Sequence, residues 1–129
     1  MLNLSWYYTL NQPPLTPPAW VFPPAWTILY ILIFVSFVIF AITPYEIKKT
    51  KGYVLFFSQM LLNLAWTPMF FMMKNIGFAL IIIIALDILV LMNIKEFWKV
   101  SKTAGKILIP YFLWLIYATY LNIGFFLLN

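Results

Sequence analysis

Asp87 is an acid in the middle of an apolar run, and Asn63 and Asn122 are amides inside two others. With six Trp, these are the side chains whose chemistry needs explaining. The chain has no Cys and no His, so thiolate and imidazole metal sites and the commonest general base are absent. The acids are Glu46, Asp87 and Glu96, too few and too scattered for a carboxylate cage. No Gly-rich phosphate loop or nucleophile elbow is present, and no cofactor is required. What remains is stacking on aromatic faces, aided by isolated amides and one carboxyl. Asp87 has two readings. A charged Asp at a bilayer centre costs about 2.5–3.5 kcal/mol, so it must face the bundle or carry a proton. It is then either a ligand, proton or ion site, or an interhelical hydrogen bond with Asn63 or Asn122 as partner.

Two stripes surround these polar groups. Asn63, Trp66 and Phe70 recur at i, i+3 and i+7; Trp114, Ala118 and Leu121–Asn122 recur at i, i+4 and i+7/i+8. An Asn in hydrocarbon turns inward and takes its Trp neighbour with it, and small Ala118 leaves room beside Trp114. The stripes either line a pocket for a flat aromatic guest or form core packing joined by amides.

The elements that position these residues follow from composition. Of 129 residues, 65% are hydrophobic and 9% charged, too little polar surface to coat a globule in water. Four runs are long enough to span a hydrocarbon core of about 30 Å: 25–43, 53–73, 76–94 and 107–128. Lipid makes each segment satisfy its own backbone, so the runs read as helices and the fold class as an all-α integral membrane bundle. Pro23 and Pro24 suit a first helical turn, Pro44 ends the first helix, and Pro68 and Pro110 are expected to kink the second and fourth. Residues 45–52 and 95–106 read as polar loops.

The net charge is +5, but every basic residue is Lys and seven of the eight lie in those two loops, against Lys74 on the other face. That asymmetry is a topology signal rather than a nucleic-acid footprint. It places both loops in the cytoplasm of a bacterial cell. Residues 1–22 lack a signal peptide's basic start and apolar core, and their aromatics and prolines read as a lid or interface anchor at the headgroup level.

Four blocks in order carry a resemblance. Trp6-Tyr7, Thr16-Pro17-Pro18, Trp20-Val21-Phe22 and Trp26-Thr27-Ile28-Leu29-Tyr30 form the first. Leu62-Asn63-Leu64-Ala65-Trp66 with Phe70-Phe71 forms the second, and Asp87 the third. Pro110-Tyr111-Phe112-Leu113-Trp114 with Ala118-Thr119-Tyr120-Leu121-Asn122 forms the fourth. Together they resemble the TspO/MBR family of tryptophan-rich sensory and translocator proteins, also called the peripheral benzodiazepine receptor family. The resemblance implies a five-helix bundle, often a homodimer, that binds porphyrins, cholesterol-like lipids and synthetic aromatic ligands beneath a first-loop lid. This chain would carry four of the five helices, with Met1–Ser5 where the family has its first. By matching motifs, Tyr7, Trp26, Asn63, Trp66, Trp114 and Ala118 would line the pocket, with Asp87 the family's acid in the penultimate helix. In some members, Trp residues matching Trp26 and Trp114 are implicated in light-dependent porphyrin breakdown, which makes these two the candidate catalytic residues.

The expected function is therefore a receptor or sensor for planar hydrophobic ligands such as porphyrin or haem. A proton-coupled drug transporter using Asp87 and a light- or oxygen-dependent porphyrin-degrading enzyme are the alternatives. Expected partners are the bilayer, a tetrapyrrole or similar small molecule and a second copy, but no nucleic acid.

Overall fold

The structure is a computed structural model and describes residues 10, 11, 13, 14, 16, 19–72 and 75–129. A single 3₁₀ turn, Ala19–Val21, leads into α1, Phe22–Ile42. α2, Thr50–Thr67, runs on through a π-helical turn, Pro68–Met72. α3 is Ile76–Val100, α4 is Lys102–Ile107 and α5 is Ile109–Leu128. The described residues are all-helical apart from short connections, and no strand occurs among them.

Among the described residues, three stretches are long and apolar enough to cross a membrane: Phe22–Ile42, Ile76–Val100 and Lys102–Leu128. α2 is the fourth rod. It is less apolar because Lys51, Ser58, Gln59 and Asn63 interrupt it, although Gln59 and Asn63 are buried against other helices.

The element boundaries correct the expectations in four places. α1 begins at Phe22 rather than 25, with its two prolines in the first turn, where missing N–H groups cost nothing. α2 begins at Thr50 rather than 53 and changes register at Pro68, which has no N–H to offer the preceding turn. The third helix continues past 94 to Val100, so the expected loop 95–106 is mostly helical. Fully buried Phe97 draws that extra turn into the core, while Glu96 pairs with Lys51 at 3.3 Å and Lys99 at 3.0 Å. Ser101 ends the turn and caps α4 by accepting the Ala104 N–H at 3.3 Å. Finally, Pro110 lies in the first turn of α5 rather than inside a continuous helix.

Packing forms two clusters. At the Lys-rich end, Phe40 stacks on Phe97 with centroids 4.1 Å apart, and Phe37 tilts against Phe56 at 4.5 Å. At the far end, Phe70, Ala79, Leu121 and Phe125 join α2, α3 and α5, with Leu10 against them. α1 is anchored to α4, where the buried Ser36 hydroxyl donates to the Ala104 carbonyl at 2.7 Å. The proline-bearing segment follows the far end of α5: Asn11 exchanges amide hydrogen bonds with Asn129, and Tyr120 donates its hydroxyl to the Pro14 carbonyl.

Candidate functional site

Trp26 stands four residues before Tyr30, one turn apart on the same side of α1. Its ring lies 5.7 Å from that of Tyr30, 6.5 Å from Tyr111 and 6.3 Å from Trp114, the last two edge-on. Phe22 meets Trp114 edge-on at 6.0 Å. Edge-to-face pairs of this kind are worth about 0.5–1.5 kcal/mol beyond area burial, which holds the indoles in place.

Below this aromatic group lies a directed chain of hydrogen bonds. The Tyr30 hydroxyl donates to Asn63 Oδ1. Asn63 Nδ2 donates to the Tyr111 hydroxyl at 2.7 Å, and Tyr111 donates to Gln59 Oε1 at 2.8 Å. Asn63, Gln59 and Tyr111 are all buried. Gln59 and Asn63 are four residues apart on α2, so both amides face α5, while Tyr30 brings in α1. Lipid offers these groups no partner, so they satisfy one another.

The other expected site residues go elsewhere. Trp66 packs on Phe70 at 5.4 Å in the second cluster and donates its indole N–H to Asn122 Oδ1 at 2.9 Å. Asn122 in turn donates to the Ile76 carbonyl at 3.2 Å. Neither Asn63 nor Asn122 is the hydrogen-bond partner of Asp87, contrary to expectation. Thr119 approaches Asp87 Oδ2 at 2.6 Å and also lies 2.8 Å from the Leu115 carbonyl, so Asp87 belongs to the α3–α5 seam. Asp87 and Asn122 are on different helix levels, and Thr119, one turn earlier on α5, meets the carboxyl first. The other carboxyl oxygen, Asp87 Oδ1, is buried without a partner among the described residues. Ala118 is buried beside Thr119. Tyr7 lies outside the described residues.

The structure therefore brings Trp26, Trp114 and Asn63 into one connected group, and places Trp66 and Asp87 at two other levels of the bundle. It adds Tyr30, Tyr111 and Gln59. Tyr30 and Tyr111 are legible in retrospect, one turn from Trp26 and Trp114 respectively. Gln59 is legible as the second amide, one turn before Asn63 on the same helix. Among the described residues no group of three His, Cys, Asp or Glu side chains could hold a metal ion.

Comparison with known proteins agrees with this architecture. Residues 2–128 match the TspO/MBR family. The chain is 39% identical over 127 residues to the Tryptophan-rich protein TspO of Chlorobaculum tepidum, covering 97% of this chain and 80% of the relative. It is 34% identical over 126 residues to the Tryptophan-rich sensory protein of Cereibacter sphaeroides, covering 97% of this chain. With the human Translocator protein it shares 31% over 122 residues, covering 93% of this chain and 72% of the relative. Its long apolar helices, its buried amide–tyrosine chain and a match along nearly its whole length lead to one conclusion: this is an integral membrane protein, and it belongs to the TspO/MBR family.

Proposed function

We propose that the chain is a membrane receptor or sensor for a flat hydrophobic ligand of the tetrapyrrole class, porphyrin or haem. The observation that carries the reading is the meeting of Trp26 with Tyr30, Tyr111 and Trp114, four aromatic rings from two helices, directly above the Asn63–Tyr111 hydrogen bond. Such a group supplies π-faces for a macrocycle and one amide centre to fix its orientation. Ala118, Trp66 and Asp87 are proposed to shape the site from the far end of the bundle rather than to touch the ring first. The Lys-rich ends of the helices face the cytoplasm in this reading, and a second copy is the expected partner in the bilayer.

Titrating protoporphyrin into the purified protein tests the proposal. Trp fluorescence should be quenched saturably, and Trp26→Ala or Trp114→Ala should weaken binding about tenfold, the cost of about 1.4 kcal/mol of lost contact. Saturable binding unchanged in both variants would remove this site. Illumination of the complex separates binding from degradation. A Soret band that disappears in the wild type but persists in a Trp26→Phe/Trp114→Phe variant would make the protein an enzyme.

A further inference from the structure

α3 carries a stripe of exposed side chains along its outer face. Ile84, Ile88 and Leu91 recur at i, i+4 and i+7 and are 43%, 57% and 43% exposed. The same spacing continues through Lys95 and Trp98, both exposed at the Lys-rich end. There α4 folds back against the stripe. Gly105 packs against Trp98, and the Lys106 ammonium lies 5.8 Å from the Trp98 ring centroid. Lys102, one turn before Lys106, is on the same side of α4.

The three Lys around Trp98 have no acid to neutralise them. Glu46 is on the α1–α2 connection, Asp87 is on the α3–α5 seam, and Glu96 is held by Lys51 and Lys99. Lys95, Lys102 and Lys106 form no ion pair among the described residues. The indole face keeps the Lys106 cation beside it, so positive charge is fixed at the end of the apolar stripe. From Ile84 to Lys95 the helix rises about 16 Å, close to one leaflet of a hydrocarbon core of about 30 Å. A second copy related by an axis along the bilayer normal would set Lys against Lys at the same height. A nucleic acid or an acidic peptide would answer the charge and leave the isoleucines bare. An acyl chain under a negative headgroup answers both.

We propose that this face is a binding site for one anionic phospholipid. Its phosphate lies among Lys95, Lys102 and Lys106, and Trp98 sits at the glycerol level, where indoles are at home in a bilayer. An acyl chain runs down Leu91, Ile88 and Ile84. The site uses no residue of the aromatic group around Trp26, so it stands whether or not that group holds a tetrapyrrole.

The test titrates the full chain in neutral detergent with dioleoyl phosphatidylglycerol and, separately, dioleoyl phosphatidylcholine, counting bound lipid by native mass spectrometry. The wild type should retain one phosphatidylglycerol per chain, about tenfold more tightly than phosphatidylcholine. Lys95→Gln or Lys106→Gln should each weaken phosphatidylglycerol about fivefold, and Lys106→Arg should keep it. Lys48→Gln removes the same charge outside the patch and should leave binding unchanged. A wild-type thermal midpoint shows that each variant is folded. No preference in the wild type would overturn the proposal, as would equal losses in Lys48→Gln and Lys95→Gln, which mean charge without a site. Displacement of the lipid by an equal concentration of glycerol 3-phosphate would also overturn it, making the patch a site for a soluble phosphate. Disulfide cross-linking of two copies through Leu91→Cys would give the face to a second chain instead.

Discussion

Asn63 Nδ2 donates to the hydroxyl of Tyr111 at 2.7 Å, and this buried contact ties α2 to α5 across the bundle. The hydroxyl donates its own hydrogen bond to Gln59 Oε1, so one oxygen on α5 serves two amides of α2. Tyr111→Phe should leave Asn63 Nδ2 and Gln59 Oε1 without their partner and lower stability by about 1–3 kcal/mol. The thermal midpoint in detergent measures it. Adding Asn63→Leu to that variant should cost less than the sum of the two single changes, because both remove the same bond.

Asp87 and Thr119 form the equivalent contact on the α3–α5 seam. Asp87→Asn keeps a group that hydrogen-bonds to the threonine and should fold with a midpoint close to wild type. Asp87→Leu leaves Thr119 only the Leu115 carbonyl and should lose the α3–α5 registration. Cysteine cross-linking between the two helices reports the difference. Proton-coupled efflux that is present in the wild type and absent in Asp87→Asn would instead make this residue a transport site.

Gly105 of α4 packs tightly against α3. A Cβ there would stand 2.8 Å from Trp98 Cε3 and 3.2 Å from the Ile94 carbonyl oxygen. The indole can yield but the backbone oxygen cannot, so Gly105→Ala should destabilise by about 1–3 kcal/mol. It should also loosen the nearby Ser36–Ala104 bond, read as faster amide exchange at that end of the bundle.

Lys49 closes the end of α1. Its ammonium donates to the carbonyls of Phe40 at 2.7 Å, Ala41 at 3.2 Å and Thr43, and lies 5.3 Å from the Phe40 ring centroid. These are the carbonyls a helix end leaves without partners. Lys49→Met keeps the apolar stem and removes the donors, and should cost about 1 kcal/mol in thermal stability with little effect on ligand binding.

The Lys51–Glu96 pair joins the two Lys-rich segments at one end of the bundle, so both are expected on one side of the bilayer. A membrane-impermeant amine reagent should modify Lys48 and Lys99 from the same face of sealed vesicles. Labelling from opposite faces would contradict the positive-inside assignment and the bundle drawn from it.

The sequence by itself determined the solvent, the rods and the inward faces. A chain with so few charges has to fold in lipid, lipid requires helices, and an amide inside a helix must turn toward other helices. Asn63 and Asn122 therefore mark the buried sides of α2 and α5 in the sequence alone. Partner choice could not be read the same way, because it depends on the relative height and rotation of rods that one-dimensional periodicity leaves free. Only the tertiary structure gave Asp87 to Thr119, Trp66 to Asn122, and Asn63 to a pair of tyrosines. It also drew the apparent loop 95–106 into helix, since burying Phe97 against Phe40 outweighs exposing a few lysines that water can reach anyway.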